Sequence, residues 1–125
     1  MDVNKISREV VDAAMKVHTV LGPGLMENAY EACLMYELGK RNLQVKAQVS
    51  LPIYYENIKI DAGYRLDLLI EDTVIVELKA VESILPIHEA QLLSYLKLSD
   101  KRLGLLINFN VVHLKNGIKR MVNNL

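Results

Sequence analysis

Arg65-Leu66-Asp67-Leu68-Leu69-Ile70-Glu71-Asp72-Thr73-Val74-Ile75-Val76-Glu77-Leu78-Lys79 reads as two apolar strands joined by a short polar turn. Asp67, Glu77 and Lys79 stand inside those strands. Ionised side chains are seldom buried unless paired or bound to metal, because dehydration of a charge is costly. Residues two apart on a strand share a face, so Arg65 lies with Asp67, and Glu77 with Lys79. Register decides whether the two pairs meet. A two-residue turn at Glu71-Asp72 pairs residue 70 with 73 and turns Asp67 away from Glu77. A three-residue loop, Glu71 to Thr73, pairs 70 with 74 and sets Asp67 across from Glu77. The second arrangement, or a bulged equivalent, is the expectation. Two carboxylates then stand about 4–5 Å apart. Their repulsion is roughly 3–4 kcal/mol at an effective dielectric of about 20. Lys79 offsets part of it, and a hard divalent cation such as Mg²⁺ offsets more. Spacing alone fits a cross-strand salt bridge on a solvated sheet face equally well.

Outward from this hairpin, the periodicity changes. Val3, Ile6, Val10, Ala14, Val17 and Leu21 recur at steps of three and four, predicting an amphipathic helix over 3–21 that Gly22-Pro23-Gly24 ends. A second helix is expected over about 25–42, apolar on most sides and therefore the more buried of the two. Strands are expected near 45–55, 57–70 and 73–81, with Glu56-Asn57 and Glu71-Asp72-Thr73 as turns. Pro86 opens a helix over 86–99, Leu103–Phe109 is a short apolar strand, and Asn116-Gly117 predicts a type I′ hairpin within 111–122. The order α-α-β-β-β-α-β-β predicts an α/β (α+β) domain with helices flanking a mixed sheet.

The chain has 125 residues, 51% of them hydrophobic, enough to build one domain over 1–125 with a real core. Its 15 basic and 15 acidic residues balance, which argues against holding long nucleic acid by bulk charge. The single cysteine, Cys33, excludes an intramolecular disulfide and a cysteine-built zinc or iron–sulfur site. It most simply packs as a small hydrophobe. No apolar run reaches membrane-spanning length, and a cytoplasmic protein is expected.

Several other residues carry chemistry. Glu27 and Tyr30 lie three apart on one helical face, with Leu34 and Leu38 on the same side, so Glu27 is expected to face partly inward. An ordinary first-turn glutamate interacting with the helix dipole is the plainer account. His88, Gln91 and Tyr95 form a polar stripe on the third helix. His18 reads as a core or capping histidine. Tyr54-Tyr55 reads as strand packing, with base stacking as the alternative. Lys115, Lys119 and Arg120 form a C-terminal basic group that fits either phosphate contact or a charged, aggregation-resistant edge.

Together these segments resemble the PD-(D/E)XK nuclease superfamily, and within it the small GxxExxY branch. Gly24, Glu27 and Tyr30 match the motif that names the branch. Asp67 matches the superfamily's metal-binding aspartate, and Glu77-Leu78-Lys79 its Glu-x-Lys signature. Gln91 and Tyr95 resemble the Gln-hydrophobic-x-x-Tyr motif of RecB-like exonucleases. The resemblance covers most of the chain in the expected order, through Leu106-Ile107-Asn108-Phe109 and Gly117-Ile118-Lys119-Arg120.

That resemblance implies a restriction-endonuclease-like core and metal-dependent hydrolysis of phosphodiester bonds, in DNA before RNA. Glu27, Asp67, Glu77 and the Leu78 carbonyl would hold Mg²⁺ or Mn²⁺. Asp67, Glu77, Lys79, Gln91 and Tyr95 would be the catalytic set, with Lys79 placing the attacking water. Tyr30, Arg65, Lys115, Lys119 and Arg120 are the candidate nucleic-acid contacts. The alternative is a non-catalytic module, binding nucleic acid or protein, that retains the nuclease fold. A third reading is a subunit whose activity appears only within a homo-oligomer or a larger complex.

Overall fold

The structure, a computed structural model, describes residues 2–125. Helix α1 (Val3–Leu21) starts where the Asp2 carboxylate accepts from the Asn4 N–H at 2.7 Å. It ends at Gly22, whose φ of +68° suits glycine and whose N–H donates to the His18 carbonyl. Helix α2 (Glu27–Lys40) is the less buried of the two, contrary to expectation. Its apolar residues are spread around its circumference and cannot all face one sheet, so Met26, just before it, and Tyr36 stay exposed. The amphipathic α1 instead buries its whole stripe, Ile6 to Val17. The helices are tied together by Glu37, which bridges Lys16 and Lys40 at 2.9 Å each, and by Arg41, which reaches Glu9 and Asp12. Lys16 and Lys40 hold the Glu37 carboxyl below the usual range.

The strand expected over 45–55 is broken into β1 (Val45–Ser50) and β2 (Ile53–Tyr55). Pro52 lies in the break and has no N–H to give a ladder. The strand expected over 57–70 likewise divides into β3 (Ile58–Ile60) and β4 (Arg65–Ile70), with Gly63 at φ +80° between them. Glu56 and Asn57, both left-handed, turn β2 back onto β3 as a separate two-stranded sheet. Tyr54 and Tyr55 are exposed there and pack no core.

The remaining elements are β5 (Val74–Lys79), α3 (Pro86–Ser99), β6 (Leu103–Asn108) and β7 (Ile118–Val122). The main sheet runs β1-β4-β5-β6-β7, antiparallel except for the β5–β6 pair that α3 connects. Alternation along the strands divides the core. Leu68, Ile70, Val74, Val76, Leu78 and Ile107 face α1 and α2, while Leu69, Ile75 and Leu106 face Leu92, Tyr95 and Leu96 of α3. The result is the expected three-layer α/β arrangement. No helix among the described residues is long and apolar enough to cross a membrane.

The expected C-terminal hairpin is replaced by a 3-10 turn, Leu114–Gly117, and β7 pairs back onto β6. Gly117 does not take the left-handed conformation of a type I′ turn. It is required because a Cβ there would collide with the backbone carbonyl of Asn108, which cannot move aside as a side chain can. Gly117→Ala is therefore expected to destabilise the fold by about 1–3 kcal/mol, read as a lowered urea midpoint. An unchanged midpoint would show that the β6–β7 connection is looser than this contact requires.

Candidate active site

The β4–β5 ladder pairs Leu68 with Val76, Leu69 with Ile75, and Ile70 with Val74. This is the register of the three-residue loop, and continued one step further it sets Asp67 opposite Glu77. Left-handed Glu71 and Asp72 make the turn, closed by the Thr73 N–H donating to the Ile70 carbonyl at 3.0 Å. At the far end the carboxylates take the place of ladder carbonyls. The Asp67 N–H donates to Glu77 Oε2, and the Leu78 N–H donates to Asp67 Oδ2, both at 2.8 Å. These bonds to the backbone fix both side chains against the strands. One oxygen of each, Asp67 Oδ1 and Glu77 Oε1, is left without a hydrogen-bond partner among the described residues.

The pair sits in a poorly hydrated place. Glu77 is 6% exposed and Asp67 half-buried. Burial above all, and next the charge of Asp67, push the Glu77 carboxyl up to about 8. The Asp67 N–H and Lys79 oppose that rise, and Glu27 adds to it. Lys79 is half-buried at the end of β5 and forms no ion pair among the described residues. Its ammonium is therefore not committed to either acid.

A cleft of about 550 Å³ opens beside this strand end, lined by Lys79, His88, Gln91 and Tyr95, with Ile53 and Tyr64 across from them. Burial raises the Tyr95 phenol, and the charge of Glu77 acts the same way, so it remains a protonated donor at neutral pH. His88 lines the cleft, and its Nδ1 accepts the Leu85 N–H at 3.0 Å, capping α3. A larger recess of about 650 Å³ along α1, beside Lys5, Arg8 and Asp12, holds none of the candidate residues.

Other expectations fare differently. Glu27 is exposed at the first residue of α2 instead of facing inward. No three acids, histidines or cysteines gather into a metal-sized cage among the described residues. Tyr30 cannot contact nucleic acid, because it is fully buried. Arg65 is exposed at the start of β4. Lys115, Lys119 and Arg120 do not form one patch. Lys119 pairs with Leu106 and Arg120 with Leu105, on opposite faces of the sheet, and Arg120 donates to Asn4 Oδ1 at 2.8 Å. His18 is the structural residue expected, its Nε2 lying 2.8 Å from the Val111 carbonyl.

One contributor went unread in the sequence. Asn108 is 1% exposed at the end of β6, opposite Lys79. Its side chain accepts from the Val81 and Asn110 N–H groups and donates to the Val81 carbonyl, fixing the chain just beyond Lys79. A lone amide in the apolar run Leu105-Leu106-Ile107-Asn108-Phe109 was the available signal.

A mixed sheet flanked by helices in this order, with an acid pair bridging two of its strands and a lysine two residues on, is consistent with a restriction-endonuclease-like fold. A sequence model described as the PD-(D/E)XK nuclease superfamily matches residues 4–121, nearly the whole chain. The chain belongs to that superfamily, whose nuclease members act on nucleic acid and generally use divalent metal ions. No curated protein and no solved structure gives a match.

Proposed function

We propose that this protein is a metal-dependent nuclease that hydrolyses phosphodiester bonds, in DNA before RNA, and that it belongs to the GxxExxY branch through Gly24, Glu27 and Tyr30. The observation that carries the reading is the Asp67–Glu77 pair. Each carboxylate is held on the other's strand through a backbone N–H, and burial, with the charge of Asp67 next, pushes Glu77 up to about 8. Their donor set is all oxygen, with one oxygen of each unengaged, which fits a hard cation such as Mg²⁺ or Mn²⁺. Asp67 and Glu77 would hold it, with the Leu78 carbonyl and with Glu27 approaching from the start of α2.

When bound, such an ion polarises a phosphate and acidifies water. Asp67 and Glu77 orient through their backbone hydrogen bonds, so their geometry is set before substrate arrives. Lys79 places the attacking water and offsets charge that develops on the phosphate. Tyr95 donates from its protonated hydroxyl, and Gln91 lies beside it on the cleft wall.

The direct test incubates the protein with labelled single- and double-stranded DNA and RNA, with Mg²⁺, Mn²⁺ or excess chelator. Cleavage that requires the metal is expected. Nucleic-acid binding without cleavage in either metal would favour the non-catalytic module instead.

A further inference from the structure

We propose that Tyr30 and Phe109 are positioning residues that lock the start of α2, and with it Glu27, onto the strand end that carries Lys79. The proposal rests on the metal-site reading above. Met26 precedes α2 with no capping side chain, so the helix entry lacks the usual anchor. Tyr30 supplies one from inside the helix. Its hydroxyl donates to the Gly22 carbonyl at 2.6 Å and accepts the Leu25 N–H at 3.1 Å. The loop from Gly22 to Leu25 is thus closed onto the first turn of α2, two residues before Glu27. Gly22 and Gly24, at φ +68° and +101°, give the loop the left-handed turns this closure needs.

The Tyr30 ring continues the connection. It stacks on Phe109 with centroids 4.4 Å apart and planes within 9°. Both rings are fully buried, so neither can slide without opening the core. The Phe109 N–H donates to the Lys79 carbonyl at 2.9 Å. A continuous path therefore runs from the loop before Glu27, through two stacked rings, to the backbone of Lys79. It assigns the tyrosine of the Gly24-x-x-Glu27-x-x-Tyr30 spacing the role of holding the helix entry that carries Glu27 in place relative to the strand end of Lys79.

The test measures Mn²⁺ binding by calorimetry in wild type, Tyr30→Phe, Glu27→Gln and the double variant, with amide exchange at Leu25 in metal-free protein. Tyr30→Phe keeps the ring stack and removes only the hydroxyl. It is expected to weaken Mn²⁺ roughly 10-fold, within the range for groups that orient a ligand, and to speed exchange at Leu25. The double variant is expected to bind no more weakly than the poorer single, since both changes remove one contribution. Phe109→Leu, which keeps apolar volume but loses the stack, is expected to shift the same readouts. Wild-type affinity in Tyr30→Phe, or losses that multiply in the double variant, would overturn the proposal while leaving the metal site standing. Wild-type affinity in Phe109→Leu overturns its share alone. Failure of the wild type to bind Mn²⁺ at all overturns both readings.

Discussion

Lys79→Ala and Glu77→Ala are each expected to lower the cleavage rate by about 10²–10⁴-fold, the usual loss when a charge-stabilising or proton-handling group is removed. The two should fail for different reasons. Lys79 makes no ion pair among the described residues and is half-buried, so its truncation leaves the fold nearly intact. Its loss should fall on kcat and spare metal affinity. Glu77→Ala removes the acceptor of the Asp67 N–H along with half of the acid pair. Metal affinity should fall with it. Single-turnover rates at saturating Mn²⁺, beside a metal titration of each variant, separate the two effects. Activity that persists undiminished in both variants comes from a contaminant and ends the catalytic reading.

A second large effect is expected in the metal-free protein as pH changes. Glu77 has a folded pKa of about 8 against an ordinary value of 4.5, so the fold favours its protonated form. Stability from this group is present in full below about pH 4.5 and is lost as pH rises toward 8. Each pKa unit corresponds to about 1.4 kcal/mol, so the loss approaches about 5 kcal/mol at most. Metal-free Tm should therefore fall by roughly ten degrees between pH 5.5 and 8.5. Glu37 works in the opposite sense, since its carboxyl is held low and its contribution disappears only in acid. A divalent cation competes with the Glu77 proton, so millimolar Mn²⁺ should raise Tm strongly at pH 8 and weakly at pH 5.5. Glu77→Gln should flatten both dependences. Equal slopes in wild type and Glu77→Gln would show that Glu77 is not the group responsible.

Much of this architecture was readable before any coordinates. Helices α1 and α3 follow the boundaries that periodicity and Pro86 predicted, because an amphipathic stripe and a helix-starting proline are local signals. The β4–β5 register was one of two that the sequence offered, and the expected three-residue loop is the one that forms. The misreadings share a cause. The burial of α2, the orientation of Glu27 and the exposure of Tyr54-Tyr55 depend on which surfaces meet a neighbour. The Asn116-Gly117 turn was misread because that glycine answers a contact with Asn108, distant in sequence, and not a local turn geometry.

By itself, the amino-acid order determined the layers and the lysine two residues from Glu77, and it narrowed the meeting of the two strand acids to a choice between two registers. Alternation at period two is a property of neighbouring residues, while the choice between a two- and a three-residue turn was made by the folded sheet. Only the tertiary structure decided that Tyr30 is a buried clasp, that the basic residues of β7 separate onto two faces, and that Asn108 and Phe109 hold the strand end bearing Lys79. Those facts depend on packing between segments tens of residues apart, where steric fit and dehydration choose among arrangements that local sequence leaves equal in energy.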